Sequence, residues 1–148
     1  SIAEQLHKLA DMVEPLSNQQ SVLVHKDIQE AMIVGNTRNF QQAFLNIIKN
    51  AIESMPKGGT LTIHSMVQKG GVTITITDTG TGMTPLQQAR LGEPYFSTKE
   101  KGTGLGLMVS YRIIEAMRGV ITVESRVGKG TSFQIIFPMD QRKNPSFI

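Results

Sequence analysis

The sequence predicts a two-layer α/β sandwich, one mixed and mainly antiparallel sheet backed by helices. Three observations carry that reading. Segments of strand and helix periodicity alternate as β-α-β-β-loop-α-β-β. Glycine-rich turns join neighbouring strands into pairs. The 148 residues hold 39% apolar but only 5% aromatic side chains and no Trp, so a single core is built from Ile, Leu, Val and Met.

Residues 1–20 read as one helix, because Ile2, Leu6, Leu9, Val13 and Leu16 follow a 4-3-4-3 spacing. That seam fits a helix packed on its own domain or the end of a coiled coil. Residues 21–26 and 31–34 read as short strands. Asn36 or Thr37 caps a helix running to about Met55, and Pro56-Lys57-Gly58-Gly59 stops it. Residues 60–68 and 72–77 alternate apolar with Thr and polar positions around Lys69-Gly70-Gly71, a hairpin pattern. Residues 78–104 form a long irregular stretch of Gly, Pro and Thr, the composition of a lid or binding loop. A second helix spans about Gly104 to Arg118 with Leu105, Met108, Val109, Ile113, Ala116 and Met117 on its apolar face, and Gly119 ends it. Residues 120–125 and 131–137 are two further strands, and from Pro138 the chain reads as a polar tail.

Composition excludes several classes. With no Cys there is neither a disulfide scaffold nor a thiolate zinc site. No apolar run approaches the roughly 18 residues of a membrane helix. There is no basic-then-apolar leader, so the expected location is cytoplasmic, whether free or as part of a membrane-bound protein. Net charge is +3 with a pI near 9.3 and no block of five like charges, so neither nucleic acid nor membrane is an expected partner.

Three segments carry candidate chemistry. Asn39, Gln42, Asn46, Asn50 and Glu53 form a polar stripe on the first long helix, apart from its buried side of Phe40, Phe44, Ile47, Ile48, Ala51, Ile52 and Met55. Asn is a poor helix former, and two amide oxygens four residues apart suit magnesium, although a capping or surface role is also open. Asp78-Thr79-Gly80-Thr81-Gly82 follows a strand directly, which fits either a turn or a carboxylate beside a close backbone approach. Gly102-Thr103-Gly104-Leu105-Gly106 opens a helix, where unpaired N–H groups and the helix dipole favour phosphate. It is neither a dinucleotide fingerprint, having Leu107 and a polar loop before it, nor a Walker loop.

In order, Asn46–Ala51, Asp78-x-Gly80-x-Gly82, Pro94–Lys99, Gly102-x-Gly104-x-Gly106 and Gly130-Thr131-x-Phe133 resemble the catalytic ATP-binding domain of sensor histidine kinases, the GHKL ATPase class. They correspond to its N, G1, F and G2 boxes and closing strand. The resemblance covers about residues 20–138, and Pro94–Val109 also looks like the sporulation-phosphorelay kinases. It implies the Bergerat ATP-binding fold over residues 17–140, with 1–16 ending a dimerisation bundle and 141–148 as a tail. It further implies that Asn50 holds Mg2+ with Asn46 assisting, and that Asp78 accepts from the adenine 6-amino group. Gly80 and Gly82 would let adenine lie against the backbone, with Thr131 nearby. Phe96 would anchor the lid and Lys99 reach the terminal phosphates. Gly102, Gly104 and Gly106, with Leu107 beside them, would meet the phosphates. Ser54 stands where many of these kinases stack an aromatic ring on adenine, which leaves Ile52 or Met83 for that contact.

The family's phosphate acceptor is a His on a separate dimerisation domain, followed by Glu or Asp, then Arg and Pro. His7, His25 and His64 have no such context. Asn46 stands where related ATPases carry a Glu that activates water. The resemblance therefore implies a kinase catalytic domain that takes ATP and Mg2+, passes phosphate to a His outside this chain and so signals to a response regulator. A degenerate nucleotide-binding module, or a Ser kinase of the anti-sigma type, is the alternative.

Overall fold

The computed structural model describes residues 1–93 and 106–140. The elements in chain order are α1 (Ile2–Met12), α2 (Glu14–Gln19), β1 (Val22–Ile28), α3 (Thr37–Glu53), β2 (Gly59–Gln68), β3 (Gly71–Asp78), α4 (Pro85–Ala89), α5 (Gly106–Ala116), β4 (Val120–Arg126) and β5 (Gly130–Pro138). Five strands form one sheet in the order β1-β2-β3-β5-β4, parallel between β1 and β2 and antiparallel elsewhere. Helices pack on one face. The opposite face carries exposed Leu23, Met66, Val120 and Ile136 among polar residues.

The expected helix over residues 1–20 is two helices. α1 ends at Val13, and Pro15 enters the first turn of α2, where a missing N–H costs nothing. Ile2, Leu6, Leu9 and Val13 are buried in the same core as α3. Residues 31–34 are not a strand, because their backbone groups bond elsewhere. Ile2 N–H donates to Ala31 O at 3.0 Å and Asp140 N–H to Met32 O at 2.8 Å.

α3 behaves as its sequence predicts. Asn36 caps it by accepting from Asn39 N–H at 3.1 Å, and Phe40, Phe44, Ile47, Ile48, Ala51 and Ile52 are buried. Phe40 and Phe44 stack at 4.5 Å between centroids, and Phe137 of β5 lies tilted 6.2 Å from Phe44. Lys69 and Gly70 form the β2–β3 turn with φ of 43° and 79°, the left-handed pair that matches strand twist.

α5 is rotated from the expected face. Ser110 and Ile114 are its buried residues, with Leu107, Tyr111, Ile113 and Met117 packed against the core, while Ala116 is exposed. Ser110 is fully buried because its hydroxyl donates to the Ala43 carbonyl on α3 at 2.7 Å. The left-handed residue at the helix end is Arg118, with φ 63°. Gly119 is needed for a different reason: a Cβ there would lie 2.7 Å from the Phe137 ring and 2.8 Å from Ile114.

Candidate functional site

The site lies at one end of the helix-facing side of the sheet. β3 delivers Asp78 there as its last residue, only 4% exposed. One carboxylate oxygen accepts from Gly80 N–H at 2.8 Å and from Thr131 N–H at 3.2 Å. Burial pushes the carboxyl above the ordinary Asp range, opposed by these two amides. Thr131, at the start of β5, is buried as well, and its Oγ1 lies 2.8 Å from Ser125 Oγ on β4. Asp78, Ser125, Thr131, Gln88 and Lys129 line one cavity.

The segment after Asp78 threads between two walls. Thr81 N–H donates to the Ser54 carbonyl at the end of α3 at 3.1 Å, and Gly128 N–H to Thr81 O at 2.8 Å. Both neighbouring glycines are forced by that passage. A Cβ on Gly80 would sit 2.3 Å from Ser54 O, and one on Gly82, at φ 70°, 1.9 Å from Arg126 O. Gly130, at φ 104°, leaves only 2.1 Å to Asp78 O. Ser54 itself closes α3, with its hydroxyl donating to Ala51 O at 2.7 Å.

The polar stripe of α3 divides in two. Asn39, Gln42 and Glu53 are exposed, whereas Asn46 and Asn50 are half-buried. Asn46 Nδ2 donates to the Gly106 carbonyl in the first turn of α5 at 3.0 Å, tying the two helices together. Gly106 and Leu107 therefore start α5 beside Asn46, with room for a Cβ at Gly106, 3.7 Å from the Asn46 amide carbon. Phe96, Lys99, Gly102 and Gly104 lie outside the described residues, as do Leu105 and the 141–148 tail. Among the described residues no three His, Asp or Glu side chains converge as a metal site. A cation here would rest on an amide oxygen together with phosphate and water, a mode that suits Mg2+.

Three features were missed in the sequence. α4 is capped by Thr84, whose hydroxyl accepts from Gln87 N–H at 3.2 Å while the Gln87 side chain accepts from Thr84 N–H at 2.9 Å. The Thr-Pro-x-Gln spacing was the available signal. Ser110 and Ser125 gave none, since a lone Ser in a helix or strand does not announce a buried bond.

A profile of the family described as histidine kinase-, DNA gyrase B-, and HSP90-like ATPase matches residues 35–141. The chain belongs to that family. It is 40% identical over 141 residues to sporulation kinase C of Bacillus subtilis (strain 168), covering 93% of this chain and 32% of that protein. It is 46% identical over 135 residues to sporulation kinase E of the same organism, covering 88% and 18%. The chain spans about a third or less of the length of these relatives. The solved structure of full-length ShkA in complex with AMPPNP superposes with a TM-score of 0.85 at 25% identity, covering 94% of this chain and 30% of that one. The histidine kinase-like ATPase fold is thus the fold of this chain, and relatives bearing the name are sporulation and sensor histidine kinases.

Proposed function

We propose that this chain is the ATP-binding catalytic domain of a sensor histidine kinase of the two-component or phosphorelay type. It binds ATP with Mg2+ and donates the γ-phosphate to a histidine on a separate dimerisation domain, from which a response regulator takes it. The catalytic unit is residues 17–140 together with α1, whose Ile2, Leu6, Leu9 and Val13 lie in the same core, and it works in the cytoplasm. The observation that carries this is a buried carboxylate, Asp78, held by two backbone amides beside Thr131, at the end of a sheet whose backing helix carries Asn46 and Asn50. Family membership and the AMPPNP bound to ShkA support it.

The roles follow from the side chains. The Asp78 carboxylate accepts from the adenine amino group. Asn50 offers a neutral amide oxygen to Mg2+, which when bound neutralises charge on the phosphate oxygens. Asn46 holds the start of α5 in place through Gly106, so its amide N–H is committed to the scaffold. The resemblance assigns Lys99 and the glycines at 102, 104 and 106 to the phosphates and Phe96 to the loop before them. Position 46 carries an amide, which cannot act as the base that activates water. The described helices include none long and apolar enough to cross a membrane.

The test is incubation with γ-labelled ATP, alone and with a dimerisation domain carrying its own acceptor His. The chain alone binds ATP and takes no label. Acid-labile label appears on the supplied domain, at low efficiency because the tether's effective concentration is lost. Label on His7, His25 or His64 contradicts the assignment of the acceptor. Tight ATP binding with no transfer to any acceptor contradicts the kinase reading and favours a nucleotide-binding module.

A further inference from the structure

Ser125 stands at the centre of the site with no role yet given to it. It pairs in register with Thr131 across β4 and β5, on the helix-facing side of the sheet. Its hydroxyl accepts from Met83 N–H at 2.8 Å, lies 3.0 Å from the Gly130 carbonyl and lies 2.8 Å from Thr131 Oγ1. Its own carbonyl accepts from Gln88 Nε2 at 3.0 Å, and the same amide nitrogen reaches Met83 O at 3.3 Å. One residue therefore ties the Met83–Gln88 segment to both strands of the β4–β5 hairpin.

The proton count fixes the direction of these bonds. A hydroxyl has one proton to donate and two lone pairs with which to accept. The Met83 amide can only donate, and the Gly130 carbonyl can only accept. All three contacts are satisfied together in one arrangement: Ser125 donates to Gly130 O, and accepts from both Met83 N–H and the Thr131 hydroxyl. The single Thr131 proton is then committed to Ser125, and Thr131 turns only lone pairs toward the cavity it shares with Asp78.

We infer that Ser125 is a positioning residue for base selection, holding the Thr131 hydroxyl as an acceptor beside the Asp78 carboxylate. Two acceptors suit a 6-amino purine and oppose the lone pairs of a 6-oxo purine. Without Ser125 the Thr131 hydroxyl is free to rotate and donate to a 6-oxo group. This inference rests on the ATP-binding reading above.

The test is calorimetric binding to the full chain of ATP and of inosine triphosphate, which has a 6-oxo group and an N1 proton where adenine has a 6-amino group and a bare N1. Ser125→Ala lowers the ATP-to-ITP affinity ratio about three- to tenfold, the scale of one neutral hydrogen bond. Ser125→Cys keeps the volume with far weaker hydrogen bonding and moves the ratio the same way, which guards against misfolding of the Ala variant. In a Thr131→Val background, Ser125→Ala no longer changes the ratio, because the hydroxyl through which it acts is gone. A wild-type chain that prefers ATP, with an unchanged ratio in the folded Ser125 variants, overturns this inference alone. So does an equal change in the Thr131→Val background, which would mark Ser125 as packing only. A wild-type chain that binds neither nucleotide overturns the ATP reading and this inference with it.

Discussion

Two adjacent rows of side chains on the same face of the sheet differ in chemistry at three of their four positions. Ile63, Ile76, Phe133 and Val123 run across β2, β3, β5 and β4. Two residues along each strand, the next row is Leu61, Asp78, Thr131 and Ser125. The backbone register is common to both, so the sheet sets the spacing in each. In the first row the gain comes from burial, which is non-directional and tolerates exchange of one apolar shape for another. In the second it comes from mutually committed donors and acceptors, which have direction and are lost with one atom. A rigid apolar row thus holds a polar row in fixed geometry.

Breaking the apolar row has the largest effect. Phe133→Ala removes a ring that is 1% exposed and leaves a cavity, costing about 3–5 kcal/mol in a denaturant titration. A loss under about 1 kcal/mol would show that the row is not the support described.

Breaking the polar row at Asp78 separates binding from stability. Asp78→Asn keeps an oxygen for Gly80 and Thr131 N–H but turns an NH2 toward the base. ATP affinity falls roughly ten- to a hundredfold, the scale of a hydrogen bond to a charged group. Stability moves the other way. Burial raises the Asp78 pKa above its unfolded value, so the stability linked to its proton is complete below the ordinary Asp range. It is lost as pH rises through the raised value. The nucleotide-free Asn variant therefore melts higher than wild type at neutral pH, and the advantage shrinks in acid. Equal melting temperatures across that range would contradict a net desolvation cost at Asp78.

A smaller effect sharpens the contrast from the helical layer. Ser110→Ala removes the hydroxyl bonded to Ala43 O and costs about 0.5–1.5 kcal/mol. Because α5 begins at Gly106, triphosphate binding weakens while adenosine binding is retained, measured by comparing the two ligands. The smallest effect on the fold is at half-buried Asn50. Asn50→Ala leaves the unfolding free energy within about 0.5 kcal/mol of wild type, as substitutions at exposed or partly exposed sites usually do. It flattens the Mg2+ dependence of ATP binding, and an unchanged dependence would remove Asn50 from the metal site.

Much of this was legible in residues whose pattern and environment agree. The α3 face, its Asn36 cap and the Lys69-Gly70 turn all follow local rules, and the structure obeys them. Of the motif residues, Asp78 and Thr131 meet at the end of β3 and β5, and Asn46 meets Gly106 where α5 begins. Reading failed where a polar residue is buried or a backbone is committed at a distance. Ser110 misphased α5, because a serine reads as outward-facing until its bond to Ala43 is seen. Residues 31–34 have strand composition, but residues 2 and 140 take their carbonyls. Gly80 and Gly82 carry a constraint that no local pattern shows, since a Cβ on either would meet Ser54 or Arg126. The Pro15 break was written in the sequence, yet the regular 4-3-4-3 seam continues through it, because both short helices bury the same side.

The most direct test of the central claim, that the buried Asp78 carboxylate selects adenine, is calorimetric titration of the chain with ATP and GTP in the presence of Mg2+, beside the Asp78→Asn variant. The account predicts that wild type binds ATP and discriminates against GTP, whose 6-oxo group meets the carboxylate repulsively. It predicts that the folded variant loses ATP affinity roughly ten- to a hundredfold. Equal binding of ATP and GTP by wild type, or undiminished ATP binding by the variant, would contradict it.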